Sequence, residues 1–224
     1  MRICFIAFGV SSEIARVMMA SVREHMPNVV LTQLTDMVSR KIEGVDEVRR
    51  VDGKTYPFIL YKHMASIPEP FIRVDYDMIF QGDITHVLDE DIDLAFNLHG
   101  DQKVEQSWGQ AYPYAACLWG AKRRSREFAE DFRDRHMMSR RNDWMGLIPS
   151  INEVIVTGKY KIKALPGNIY NYCPEDRNDR PQNALVLHFK GRRKHWMLHE
   201  GSEAARADEV RISRKIAQSN ELFR

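Results

Sequence analysis

The sequence predicts one α/β domain with a mixed, mainly parallel central sheet. Three observations carry that expectation. Apolar runs of strand length alternate with amphipathic stretches of helix length along the whole chain. The strand runs are apolar at consecutive positions, as strands buried on both faces are. Glycines and polar residues gather where strands end, the side on which open α/β sheets place their ligands. At 224 residues the chain is long enough for such a domain with a substantial core.

The elements follow in order. Ile3 to Phe8 reads as a buried strand closed by Gly9. Ser11-Ser12-Glu13 opens a helix in which Ile14, Val17, Met18 and Val22 recur at helical spacing. Val29 to Leu34 is a second strand, closed by Thr35-Asp36, and Val45 to Val51 a short third. Phe58 to Ile67 reads as a helix that ends before Pro68. Phe71 to Phe80 is one apolar, strand-like run containing Asp75-Tyr76-Asp77, followed by a turn at Gly82-Asp83-Ile84-Thr85. Ile92 to Phe96 and Tyr112 to Trp119 are strands; Ser125 to His136 and Pro149 to Val156 are helices, the second ending at Gly158. Ile162 to Leu165 is a strand before Pro166-Gly167, Leu185 to Phe189 is the last strand, and Glu203 to Phe223 is a polar terminal helix. No linker, repeat or low-complexity tract interrupts 1–224, so a single domain is expected.

Composition narrows the class. Hydrophobic residues make up 44% and charged residues 29%, the balance of a globular chain. A net charge of +2 is too small to argue for nucleic acid by itself. The basic clusters Arg123-Arg124, Arg140-Arg141 and Lys190 to Lys194 read first as solvated faces. Cys4, Cys117 and Cys173 are few, odd in number and without a C-x-x-C pair, which argues against a disulfide framework or zinc ribbon and fits a reducing, cytoplasmic compartment. No segment is long and apolar enough to cross a bilayer, and the N-terminal run reads as a strand, not a leader.

Two segments carry chemistry. On an extended segment Asp75 and Asp77 share a face, and two carboxylates aimed together repel unless a cation joins them. Such acids usually cap a helix or sit in a solvated turn; the flanking strand argues otherwise. The second segment is Leu185 to Trp196, in which a strand delivers His188, a glycine follows at Gly191 and a lysine at Lys194. A lone histidine there would be a core residue. Its spacing to a glycine that admits a phosphate and to a lysine that pairs with one favours a ligand. Trp196 suits a packing anchor as well as a stacking platform.

On these residues the chain resembles the GT-A-fold (Rossmann-like) glycosyltransferases, most closely family 8. Members carry an apolar strand ending in D-x-D, here Asp75-Tyr76-Asp77, and a C-terminal H-x-x-G-x-x-K-P-W, here His188-x-x-Gly191-x-x-Lys194-His195-Trp196 with His195 in place of proline. Asp91-Ile92-Asp93-Leu94-Ala95 and Leu165-Pro166 before Tyr170-Asn171-Tyr172 extend the likeness, which runs from Ile3 to Trp196. The resemblance implies transfer of a sugar, with retention, from a nucleotide-diphosphate sugar to a hydroxyl acceptor. It implies Mn2+, with Mg2+ as the alternative, held by Asp75, Asp77 and His188. It assigns Gly191 and Lys194 to the diphosphate, Ala7, Phe8 and Gly9 to the nucleoside pocket, and Lys62 and Tyr76 to the sugar nucleotide.

Two departures stand out. Tyr114-Ala115-Ala116 replaces the family's N-[SA]-G, and Gly146 to Ser150 offers no counterpart to its Asp-Gln pair near the reacting carbon. Asp143, Asn152 and Asp101 are the candidates for that missing group. The acceptor stays open: a carbohydrate, a lipopolysaccharide precursor, a protein, a small molecule or hydroxymethylated pyrimidines in DNA. Two other classes compete. An aspartate-nucleophile phosphatase would carry its D-x-D on the first strand, with threonine or valine where Ile79 stands. A non-enzymatic nucleic-acid-binding module would not need the motif pair.

Overall fold

The computed structural model of the chain describes residues 1–7, 12–52, 56–99, 112–139 and 146–198, with the side chains of 56–59 excepted. Phe8, Gly9, Asp101, Arg140-Arg141, Asp143 and the helix expected over 203–223 lie outside the described residues.

The elements are β1 (Arg2–Ile6), α1 (Ser12–His25), β2 (Val30–Thr35), β3 (Glu47–Arg50), α2 (Tyr56–Ser66), β4 (Phe71–Val74), β5 (Met78–Phe80), a 3-10 turn at Thr85–Leu88, β6 (Leu94–Leu98), β7 (Tyr114–Ala121), α3 (Ser125–Met138), α4 (Leu147–Ile155), β8 (Ile162–Leu165), α5 (Gly167–Tyr170), β9 (Val186–His188) and a 3-10 segment at Gly191–Met197. α1 shows why the sequence was readable. Ile14, Met18 and Val22 are buried at one-turn intervals, with Glu13 in the first turn and Arg23 and His25 in the last, matching the helix dipole.

Seven strands form one sheet in the order β3-β2-β1-β4-β7-β6-β8. β1 pairs in parallel with β2 and β4, β2 with β3, and β6 with β8. β7 alone runs antiparallel, between β4 and β6. The sheet is therefore mixed and mainly parallel, as expected. The direction of β7 was not readable, because a buried strand has the same apolar run either way.

Residues of β1 alternate between two cores. Ile3, Phe5 and Ala7 join α1 residues, β5 and β9 in one core, with Leu31, Ile72 and Val74 beside them. Cys4 and Ile6 face the other, where Leu60 and Met64 of α2, Phe128 and Phe132 of α3 and Ile151 of α4 cover the sheet. Each such fully buried large apolar side chain is worth roughly 1.5–3 kcal/mol.

The structure corrects one expected element. The run Phe71 to Phe80 is not one strand. It breaks at Asp75-Tyr76-Asp77, where Tyr76 and Asp77 form a turn. β4 stays in the main sheet, while β5 crosses to pair antiparallel with β9 in a separate two-stranded sheet. The two aspartates therefore meet because the chain turns between two sheets, not because side chains alternate along an extended segment.

Candidate metal and diphosphate centre

Strand pairing brings the two distant motifs together. In the β5–β9 register Met78 lies opposite His188, and the Phe189 N–H donates to the Asp77 carbonyl at 2.9 Å. His188 Nε2 then lies 3.3 Å from Asp77 Oδ1 and 3.7 Å from Asp75 Oδ2. After β9 the chain turns at Gly191, whose φ of +59° is left-handed. The turn starts the 3-10 segment that carries Lys194 back. Its Nζ sits 2.8 Å from Asp77 Oδ2 and donates to the Tyr76 hydroxyl at 2.9 Å. The ammonium also lies over the Tyr76 ring, 4.5 Å from its centroid.

Three further residues complete the centre, none of them singled out as a site residue by sequence. Asn171, fully buried, places Oδ1 2.8 Å from His188 Nδ1 and donates its amide to the Leu98 carbonyl at 3.4 Å. With its amide directed at Leu98, Asn171 presents an acceptor to the ring. A neutral ring held this way would carry its proton on Nδ1 and turn the Nε2 lone pair toward both aspartates, while a protonated ring would donate from Nε2 to Asp77. Arg73, buried in β4, donates to Asp75 Oδ1 at 2.5 Å and to the carbonyls of Ala116 and Cys117 at 2.5 and 3.2 Å. Cys117, on β7, puts its sulfur within 4.8 Å of ligand atoms of both Asp75 and His188.

The electrostatics follow from burial and partners. Burial works against ionisation of Asp77, but His188 and Lys194 outweigh it and hold the carboxyl well below the usual range. Burial also opposes the charge on Lys194, and Asp77 and Tyr76 overcome it, leaving the ammonium firmly protonated. Lys190 is lowered to about 8 by burial, with Asp75 and Asp77 acting the other way. Burial, with Asp75 nearby, raises the Cys117 thiol well above its ordinary value. Carboxylate oxygens, an imidazole lone pair and a thiol converging on one point are a donor set that could hold a divalent cation. The two carboxylates already meet Arg73 and Lys194, and a neutral His188 would add a lone pair that a divalent cation could share with them.

No protein-family model and no curated protein matches the chain. Solved structures do. The galactosyltransferase LgtC, determined with donor and acceptor sugar analogs, superposes with a TM-score of 0.57 at 14% identity over 96% of each chain. The glycosyltransferase GlyE of Streptococcus pneumoniae TIGR4 gives 0.62 at 14% identity over 95% of this chain, which spans 60% of GlyE. A glycosyltransferase involved in glycosylation of the PBCV-1 major capsid gives 0.58 at 15% identity, over 88% of this chain and 97% of its own. The fold is that of GT-A-type glycosyltransferases. The centre described above sits at the carboxyl end of β4, at the sheet edge where such open sheets bind ligands.

The other expected site residues take varied places. Ala7 caps β1, but its side chain is in the core, its N–H bonds Leu34 O and its carbonyl accepts from Thr35 and Gln33. It can form a wall of a pocket and offers little else. Lys62 reaches the Asp52 carbonyl at 2.7 Å, beyond β3 on the same rim but strands away from Asp75. Asn152 is buried in α4. Its Oδ1 accepts from Tyr114 N, and its Nδ2 donates to Tyr114 O and Ile148 O. That side chain ties α4 to the start of β7. Asp91 and Asp93 lie at the amino edge of the sheet, where they bind Arg123, Arg124 and Lys161. The Arg123-Arg124 pair is thus engaged in a surface ion network, as its reading as a solvated face anticipated. Trp196 packs partly buried against the β1–α1 core. No helix among the described residues is long and apolar enough to cross a membrane.

Proposed function

We propose that this chain is a metal-dependent glycosyltransferase that moves a sugar from a nucleotide-diphosphate sugar to a hydroxyl acceptor, with retention. One observation carries the reading. On a glycosyltransferase fold, Asp75 and Asp77 converge with His188 and Lys194 in a single cluster although about 110 residues separate the two motifs. Asp75, Asp77 and His188 would hold Mn2+, or Mg2+ in its place; the imidazole favours Mn2+. When bound, the ion supplies positive charge to the diphosphate oxygens as the sugar–phosphate bond breaks.

The remaining steps belong to the chain's own residues. Lys194, fixed by Asp77 and Tyr76, is a preset point charge for the departing diphosphate and needs no reorganisation as charge develops. The open left-handed turn at Gly191 would admit a phosphate close to the backbone, since beyond its two chain neighbours nothing lies within 4 Å of where a Cβ would stand. Asn171 holds the His188 ring in one orientation, with Nε2 toward the aspartates. Ala7, with Phe8 and Gly9 beyond it, would line the nucleoside pocket, and Lys62 would reach the sugar nucleotide from the same rim. Asp143 and Asp101 stay candidates near the sugar carbon, while the Asn152 side chain bonds the backbone at Tyr114 and Ile148.

The test is release of free sugar from a panel of uridine and guanosine diphosphate sugars, with Mn2+ or with chelator. Metal-dependent release by the wild type, lost in Asp77→Asn, is the expected result. Turnover that is the same in the variant, or unaffected by chelation, contradicts the assignment.

A further inference from the structure

Cys117 belongs to the geometry of this centre but has no task in the reaction proposed above. Its placement follows from strand register. β4 and β7 pair antiparallel with Val74 opposite Leu118, so the next step of the register sets Asp75 against Cys117. Arg73 fixes both sides of that step, because its guanidinium bonds Asp75 Oδ1 and also the carbonyls of Ala116 and Cys117. Asp75 is left with Oδ2 directed at His188 Nε2, 3.7 Å away. The Cys117 sulfur completes a triangle, with one ligand atom from each of Asp75, Cys117 and His188 within 4.8 Å of the others.

Metal–ligand bonds of about 2.0–2.3 Å set tetrahedral donors roughly 3.5 Å apart, so small side-chain rotations close this triangle on an ion. The donor set is unlike the oxygen-rich one formed by Asp75 and Asp77. A thiolate, an imidazole and a carboxylate select Zn2+ and its thiophilic relatives, whereas Mn2+ favours carboxylate, carbonyl and water. Lys194 occupies Asp77 Oδ2 at 2.8 Å, which leaves Oδ1, 3.3 Å from His188 Nε2, as the oxygen Asp77 can offer to either ion.

We propose that Cys117 is a metal ligand, so that Zn2+ or another thiophilic divalent ion binds through Asp75, Cys117 and His188 in competition with Mn2+. The inference rests on the reading of Asp75 and His188 as metal ligands and adds the third donor. Three protein ligands leave a fourth position open, the arrangement of sites that exchange water or substrate. Binding replaces the sulfur–hydrogen bond with a sulfur–metal bond, and the thiol proton passes to solvent. No oxidant or reductant is involved.

Co2+ is the probe, because thiolate coordination gives it an intense near-ultraviolet charge-transfer band that oxygen and nitrogen ligands do not. The wild type and Cys173→Ser should show the band on titration with Co2+, and Cys117→Ser should lack it. Calorimetry should find Zn2+ affinity at least tenfold lower in Cys117→Ser, with Mn2+ affinity changed less than threefold. Melting curves of the metal-free variants establish that they are folded. Co2+ that binds the wild type without the band, or a band that persists in Cys117→Ser, overturns the role of Cys117 and leaves the glycosyltransferase reading standing. If neither Mn2+ nor Co2+ binds the wild type at all, both readings fall together.

Discussion

Arg73 satisfies three acceptors in a nearly dry corner: Asp75 Oδ1, Ala116 O and Cys117 O. Its side chain is 3% exposed and that of Asp75 25%. Removing one member of a buried charged pair is costly, because the other is left uncompensated. Arg73→Met should therefore destabilise the fold by about 3 kcal/mol in urea denaturation, toward the low end for buried pairs because Asp75 is partly solvated. A loss below about 1 kcal/mol would assign the interaction to the surface class instead. Asn171 acts on the ring, not the sheet. Asn171→Ala should weaken Mn2+ binding about 10- to 100-fold by calorimetry while the fold persists, as losses of partners to metal-binding histidines do. Unchanged Mn2+ affinity would remove Asn171 from the centre. These residues also mark the limit of the sequence. Asp75, Asp77, His188, Gly191 and Lys194 were legible because each lies at fixed spacing inside a short motif. Arg73, Asn171 and Cys117 were not, because their partners lie across strands: Arg73 meets carbonyls 43 and 44 residues away.

At the scale of elements, turns account for the site more than strands do. The break at Asp75-Tyr76-Asp77 sends β5 out of the main sheet to meet β9, and Gly191 reverses the chain so that Lys194 returns. The left-handed conformation costs an ordinary L-residue roughly 1–2 kcal/mol. Space is open at Gly191, so Gly191→Ala should lose about 1 kcal/mol through strain alone, and Gly191→Asn, which tolerates that conformation, should lose less. Equal losses in a denaturant titration would point to a contact, not to backbone conformation. Element positions were readable to within two residues for most of the chain because buried faces impose their period on the sequence. What escaped was partner choice: that β7 runs backward, and that one apolar run serves two sheets. Neither changes the pattern of apolar residues, so neither leaves a local trace.

For the whole molecule, buried neutral histidines set an acid limit distinct from that of the site. His63 is fully buried, with Nε2 3.3 Å from the Thr35 carbonyl. Burial, aided by Arg49 and opposed by the Thr35 bond, lowers its pKa from 6.5 to about 4. Between those values the unfolded chain binds the proton and the folded chain does not. Stability is therefore present above pH 6.5 and lost as pH falls toward 4, by at most about 3 kcal/mol. His99, lowered to about 4 by burial and by Lys190, adds to the same window. His63→Leu should flatten the stability profile between pH 4 and 6.5 without abolishing its slope. An unaltered profile would mean His63 is not the group titrating there.

The same sheet that buries His63 presents the Asp75, Asp77, His188 and Lys194 cluster at its carboxyl edge. A ligand bound by the folded state alone raises stability by mass action, about 2.7 kcal/mol at a concentration 100 times its Kd. The most direct measurement is a thermal-shift titration of uridine and guanosine diphosphate sugars, each with and without Mn2+, on the wild type and on His188→Asn. The account predicts that at least one nucleotide sugar raises the wild-type melting temperature only when Mn2+ is present, and that the shift disappears in His188→Asn. A shift that ignores Mn2+, one that survives in His188→Asn, or none from any nucleotide sugar with Mn2+ would contradict it.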